Sequence, residues 1–292
     1  MRLGFLGIGL MGLPLCRRLL AAGADLAVWN RDAGKCAPLV AAGARQADSP
    51  AALAASVDLL MLCVSDTAAV EAVCEALLPG AHPGLIVIDH SSIAPAATRR
   101  LAAALRQATG AHWVDAPVSG GVVGAESGQL VIMAGGDDCD IERVRPVLMH
   151  YAKRVTRMGD IGAGQVTKVC NQLVVAANSL LIAETVALAR DAGVDARQLA
   201  PALAGGFADS LPFQILAPRM AEGRFEPVQW KVRTLLKDLG NALDLGRQSD
   251  RPTPLAAAAA ALMRAHAEAG HADADLSSLI LQHGLPVAGE SR

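Results

Sequence analysis

The chain has 292 residues, 26 Lys+Arg against 28 Asp+Glu, 52% hydrophobic residues and 3% aromatics. At about 100–200 residues per domain, that length suggests two domains, each able to bury a core. A net charge of −2 leaves no surplus of cations for phosphates, and three Trp, one Tyr and four Phe are too few for a base-stacking platform. Both facts argue against nucleic acid or an acidic membrane as the main partner.

Leu3 to Leu6 reads as a short buried parallel strand. It runs into Gly7-Ile8-Gly9-Leu10-Met11-Gly12, then Leu13, Leu15, Leu19 and Leu20 at helical spacing. In a strand–GxGxxG–helix unit the first glycine permits the tight turn and the second lets backbone approach a pyrophosphate. The third packs helix against strand, and the helix N-terminus supplies N–H donors. Arg2 before an apolar run invites a signal-peptide reading. The dense glycines, and Arg17-Arg18 where a cleavage site would fall, speak against it.

A second strand, Leu26 to Trp29, ends at Asn30-Arg31. NAD-selective sites usually place Asp or Glu here for the ribose 2′-OH. Asn30 does not repel a 2′-phosphate, and Arg31, with Lys35 one turn on, could clamp one. NADP(H) is therefore favoured, with NAD the alternative because Asp32 is close by. On the other reading, Arg31 and Lys35 only decorate a solvated helix start.

Leu59 to Val64 is a further strand, with Ser65-Asp66 opening a helix to Leu78. Leu85 to Ile88 follows and leads into Asp89-His90-Ser91-Ser92, then a helix with Pro95 in its first turn to about Gln107. This alternation predicts a Rossmann-type, doubly wound parallel sheet. Ligands of such sheets sit at the carboxyl ends of the strands, where Gly7, Asn30, Cys63-Val64 and Ser92 fall. Ser92 is equally a candidate helix cap.

Val114-Asp115 closes the next strand and opens Ala116-Pro117-Val118-Ser119-Gly120-Gly121, followed by Gly124 and Gly128. Four glycines in nine residues suggest backbone approaching a ligand, with the Ser119 hydroxyl placed to hold a carboxylate. An ordinary turn before a strand at Leu130 to Met133 would explain two of them. After Gly162-Ala163-Gly164 a long apolar helix begins, carrying Lys168 and Asn171 on one face with Gln172 beside them. Lys168 either works there or snorkels to solvent. The apolar stretch Val166 to Ala189 is broken by Lys168, Asn171, Gln172, Asn178 and Glu184, and so reads as a buried helix and not a membrane span.

The six cysteines are scattered without a CxxC pair, which suggests reduced core thiols and a cytoplasmic protein. His266 and His271, five apart, are not expected to share a helix face, and no metal site is predicted.

With these segments in hand, the chain resembles the β-hydroxyacid dehydrogenases, the group containing 3-hydroxyisobutyrate dehydrogenase and tartronate semialdehyde reductase. Four stretches carry the resemblance in order: Gly7 to Pro14, Asp115 to Gly121, Gly164 to Gln172, and Lys237-Asp238-Leu239. Ile161 to Gly164 and Lys237 to Asp244 look closest to the tartronate semialdehyde reductase branch. His90, and Leu15 in place of a common Met, depart from the usual pattern.

The resemblance implies hydride transfer between a nicotinamide cofactor and a short β-hydroxy acid or its semialdehyde. It implies Lys168 as general acid/base and Asn171 as its orienting partner. Ser119, Gly120 and Gly121 would hold the substrate carboxylate, and Lys237 would lie by nicotinamide and substrate. Gly7, Ile8, Gly9, Leu10, Met11, Gly12, Asn30, Arg31, Lys35, Cys63, Val64 and Ser92 would form the cofactor cleft. The implied domains are a Rossmann domain over 1–162 and an all-helical substrate and oligomerisation domain over 163–292, in a homodimer or homotetramer. Phe207 to Phe213 is a candidate pocket lining. The rival from another class is a dehydrogenase fold that binds a nucleotide without catalysis; retention of Lys168 and Lys237 argues against it.

Overall fold

Leu3–Leu6 forms β1, buried at every position. Such a strand needs neighbours on both sides, and β2 (Leu26–Trp29) and a later strand pair with it in parallel. The computed structural model describes residues 1–284. Its remaining strands are β3 (Arg45–Gln46), β4 (Leu59–Leu62), β5 (Ile86–Asp89), β6 (His112–Asp115), β7 (Val118–Ser119), β8 (Leu130–Gly135) and β9 (Ala152–Gly159). The sheet order is β3-β2-β1-β4-β5-β6-β8-β7, with β9 beside β8.

The first six strands are parallel, as predicted. β8 runs antiparallel to β6 and β7, so the doubly wound sheet is mixed at this edge. The connection from β7 to β8 is residues 120–129, and the chain reverses there to pair the two strands antiparallel. The predicted strand to Val64 stops at Leu62, because the Val64 N–H donates to the Ser91 Oγ (3.0 Å).

Helices of this unit are α1 (Gly12–Ala21), α2 (Ala37–Val40), α3 (Pro50–Ser56), α4 (Thr67–Leu77), α5 (Pro95–Thr109), α6 (Gly121–Ser127) and α7 (Asp138–Leu148). Asp66 caps α4 by accepting from Ala69 N (2.9 Å), as its position predicts. The cap position of α5 belongs to Ala94, so Ser92 does not cap that helix.

His90 accounts for its departure from the family pattern. Its buried Nδ1 lies 2.7 Å from the Ala116 carbonyl and its Nε2 lies 2.9 Å from the Tyr151 hydroxyl. A carbonyl can only accept, so Nδ1 carries the proton and Nε2 accepts from Tyr151. Burial pulls the imidazole down to about 4. His90→Phe keeps the ring but strands both partners, and should cost about 2–4 kcal/mol in denaturant unfolding. A folded-state value below the ordinary 6.5 means that stability from neutral His90 is lost as pH falls from 6.5 through 4. The difference between wild type and His90→Phe should therefore shrink across that window.

The long helix α8 (Ala163–Asp191) spans the division between two compact units, Met1–Lys168 and a second beginning at Val169. The expected division fell six residues earlier, after 162. The start of α8 stays with the sheet because Asp115 at the end of β6 accepts two of its N–H groups. By length and hydropathy α8 could cross a membrane. Ala176, Leu180, Ile182, Ala183 and Val186 instead face the core of the second unit.

That unit continues with α9 (Leu199–Leu203), α10 (Leu211–Ala221), α11 (Val232–Gln248) and α12 (Pro254–His266), and short 3-10 turns. Among its described residues the only β pairing is one isolated bridge, Lys231 to Asp275. Ala256, Ala259 and Ala260 are buried on α12, where small side chains permit close approach of α11. Phe213 lies in this core while Phe207 is fully exposed, so the two do not form one pocket lining.

The expectation for His266 and His271 is overturned: their rings stack with centroids 4.5 Å apart. The chain kinks at Gly270, whose φ of +99° is not helical, and so His266 and His271 do not follow the 3.6-residue period. All six thiols are free, yet Cys139 and Cys170 are exposed and are not core thiols.

Candidate active site

The glycine-rich loop has the geometry its spacing predicts. Gly7 adopts φ +98°, and a Cβ there would fall 2.3 Å from the Cys63 carbonyl oxygen. A Cβ on Gly12 would fall 2.1 Å from the Gly7 carbonyl oxygen, so α1 can start this close to β1 only at glycine. Around Gly9 nothing lies within 4 Å. Two glycines are thus required by the fold, while the third leaves open space over the start of α1. Leu10 is exposed and Met11 half-buried at the same turn, and no side chain caps α1. A dinucleotide pyrophosphate fits this cradle.

Asn30 does more than avoid a negative charge. Its Oδ1 accepts from Ile8 N (2.9 Å) and its Nδ2 donates to the Asp32 carbonyl (2.9 Å), latching the glycine loop to the end of β2. A carboxylate in its place would lose the donor. Asp32 in turn accepts from Gly34 N. Arg31 and Lys35 are exposed on this edge. At the end of β4, burial followed by the nearby Asp89 charge pushes the Cys63 thiol up to about 12, so it stays protonated. Cys63 contributes backbone here, not a thiolate.

Lys168 is only 6% exposed, which excludes the snorkelling alternative. Its Nζ donates to the Val118 carbonyl at 2.9 Å, directly before half-buried Ser119. The glycines after Ser119 divide in their duties. Gly120 and Gly121 have φ +130° and +60°, and Gly121 has nothing within 4 Å. Gly124 packs on Leu130 and Gly128 ends α6 against the Arg18 guanidinium. A Cβ on Gly120 would also meet Leu130, at 3.0 Å, so packing accounts for Gly120, Gly124 and Gly128 and leaves Gly121 alone with open space.

In the second unit, Asn171 Nδ2 donates to Gln172 Oε1 (2.8 Å), and Gln172 Nε2 donates to buried Asp238. Lys237 Nζ lies 3.2 Å from the other oxygen of Asp238. Asn171 and Lys237 therefore end a single chain of polar contacts through Gln172 and Asp238. The structural parts of Asp115, Gln165, Gln172 and Asp238 are not legible in the sequence, although all four lie inside the stretches that carry the family resemblance.

Among the described residues, one group could offer three ligands to a metal ion: His112, Asp137 and Asp140, with donor atoms within 4.8 Å. His112 Nδ1 and Asp140 Oδ2 already pair at 2.6 Å.

A sheet of this order, with an open glycine turn and a buried lysine beside a Ser-Gly-Gly segment, defines a nicotinamide-dinucleotide dehydrogenase. Residues 2–159 match the family model described as the NAD-binding domain of 6-phosphogluconate dehydrogenase. Residues 162–282 match the one described as NAD-binding of NADP-dependent 3-hydroxyisobutyrate dehydrogenase. The chain is 35% identical over 284 residues to 2-hydroxy-3-oxopropionate reductase of Escherichia coli, covering 96% of each. It is 32% identical over 285 residues to NAD-dependent L-serine dehydrogenase of Pseudomonas aeruginosa, covering 94% of this chain and 95% of that one. The 3-hydroxyisobutyrate dehydrogenase of Mycobacterium tuberculosis, solved with L-serine, superposes with a TM-score of 0.89 at 30% identity, over 98% of this chain and all of that one. The chain belongs to the β-hydroxyacid dehydrogenase family, whose members act on hydroxyl groups with NAD(P).

Proposed function

We propose that the chain is an NADP(H)-dependent reductase of short β-semialdehyde acids, with 2-hydroxy-3-oxopropionate as the preferred substrate. The observation that carries this reading is buried Lys168, with its Nζ 2.9 Å from the carbonyl that precedes Ser119. Bound nicotinamide supplies the hydride. Lys168, as ammonium, donates a proton to the substrate carbonyl oxygen during reduction, and as neutral amine takes the hydroxyl proton during oxidation. Ser119, Gly120 and Gly121 hold the carboxylate, which sets its distance to the reacting carbon. Asn171, steadied by Gln172, orients the reacting groups, and Lys237 serves nicotinamide and substrate.

Exposed Arg31 and Lys35, with neutral Asn30 between them and the glycine loop, support NADP(H) over NAD(H). Free thiols throughout support a cytoplasmic setting. Exposed Val174, Leu181 and Leu188, seven apart on α8, support a homodimer or homotetramer.

The test is a panel of 2-hydroxy-3-oxopropionate, 3-hydroxyisobutyrate, L-serine, succinic semialdehyde and a four-carbon aldonic acid, each with NAD(H) and NADP(H). The highest kcat/KM is expected for 2-hydroxy-3-oxopropionate with NADPH. Arg31→Ala should weaken NADPH by about 10–100-fold, the loss of one charged hydrogen-bonding partner, and leave NADH little changed. A clear NAD(H) preference refutes the reading of Asn30-Arg31. Cofactor binding without turnover of any panel member would restore the non-catalytic alternative.

A further inference from the structure

The carboxylate of Asp115 is wholly buried at the end of β6, and both its oxygens face the start of α8. Oδ1 accepts from Gly162 N (2.7 Å) and Oδ2 from Gln165 N (2.9 Å). These are two of the first donors of α8, which lack partners within the helix. Capping is usually the work of a neighbour in sequence, whereas here one residue, Asp115, caps donors 47 and 50 positions further on.

The chain around Asp115 is shaped for this contact. A Cβ on Gly164 would fall 2.4 Å from the Met133 carbonyl oxygen and 2.7 Å from that of Asp115. A Cβ on Gly135, the β8 residue opposite Asp115, would fall 2.6 Å from its Oδ1. Both glycines therefore let the helix start sit against β6 and β8. Gln165 adds a second tie, donating to the Ser91 carbonyl (2.7 Å) and accepting from Ile93 N.

Three residues beyond Asp115 lies Val118, and three beyond Gln165 lies Lys168. The Val118 carbonyl receives the Lys168 Nζ. One strand-to-loop segment thus grips α8 at two successive points, the backbone at Gln165 and the amine at Lys168. We propose that Asp115 is the positioning residue of Lys168, fixing the first turn of α8 so that the amine is delivered beside Ser119. This rests on Lys168 being the general acid/base, and the experiment separates the two claims.

Turnover of the best panel substrate is compared in four proteins: wild type, Asp115→Asn, Lys168→Ala, and the double variant. Asn preserves shape but offers one acceptor oxygen where two N–H groups need one each. Displacing a catalytic group by about 1 Å costs on the order of 100-fold. Asp115→Asn should therefore lower kcat by about 10–100-fold, with KM and cofactor Kd within about threefold of wild type. In the Lys168→Ala background the same change should cost less than about twofold, because the group it positions is gone. An equal loss in both backgrounds, a loss confined to KM or Kd, or no loss overturns the proposal. Undiminished turnover of Lys168→Ala itself overturns the catalytic reading instead. Should Asp115→Asn fold poorly, Gly164→Ala keeps the Asp115 side chain but presses on its Oδ2 and on the Met133 carbonyl, and so shifts the same helix start. It must show the same dependence on Lys168, and equal losses with and without Lys168 again refute the role of Asp115.

Discussion

Lys168→Ala is expected to lower turnover by about 10²–10⁴, the usual range for loss of a general acid/base. Cofactor affinity should change little, since the glycine loop, Asn30 and Arg31 are contributed by other elements. Burial is what makes the residue diagnostic. An ammonium at 6% exposure forgoes most of its hydration, a cost that a merely structural surface lysine would avoid by reaching solvent. Lys168→Arg should not restore activity, because a guanidinium remains protonated and is planar where an amine is compact. A small primary amine added to Lys168→Ala should recover part of the rate. Stopped-flow measurement of cofactor absorbance at saturating substrate reads all three outcomes. Near-normal turnover in Lys168→Ala with the cofactor bound would sink the assignment.

How far the sequence reached follows the range of the interactions involved. β1, the open turn at Gly9 and the start of α1 were legible because each depends on residues within one turn or strand. Lys168 was visible as a residue, but its burial was not. That depends on Val118, fifty positions earlier, presenting a carbonyl. Asp115 sat inside a recognised motif without a role, since the helix it caps begins nearly fifty residues later. The glycines after Ser119 mislead in the opposite direction: Gly124 and Gly128 answer to Leu130 and Arg18, which composition cannot reveal. A regular helix would separate His266 and His271, and the left-handed kink at Gly270 reverses that conclusion. The antiparallel direction of β8 is equally illegible, because an apolar run marks a strand without giving its direction.

The largest expected effect on stability lies in the second unit, at a pair the sequence did not expose. Arg219 on α10 and Asp275, 56 residues later, are both buried, with Nη2 and Oδ1 3.3 Å apart. The guanidinium also donates to the Pro227 carbonyl (3.0 Å). Asp275 accepts from Gln229 N (2.7 Å), Trp230 N (3.1 Å) and both the amide and hydroxyl of Ser277. Burial raises this carboxyl, yet the Ser277 hydroxyl and the amides of Ser277, Gln229 and Trp230 together hold it below its ordinary value. Asp275→Ala removes every one of these acceptors and leaves a buried cation uncompensated, so it should cost about 3–5 kcal/mol. Arg219→Met/Asp275→Asn removes both charges and should unfold at higher urea than Asp275→Ala, since no lone charge remains buried. The sign of the pH effect follows from the lowered carboxyl: its contribution is complete above the unfolded value near 3.8 and is lost as pH falls through the folded one. Urea unfolding of the three proteins at pH 7 and pH 3 separates the pair from simple packing. If the double variant proves less stable than Asp275→Ala, the buried charges themselves, and not only the hydrogen bonds of Asp275, hold this unit together.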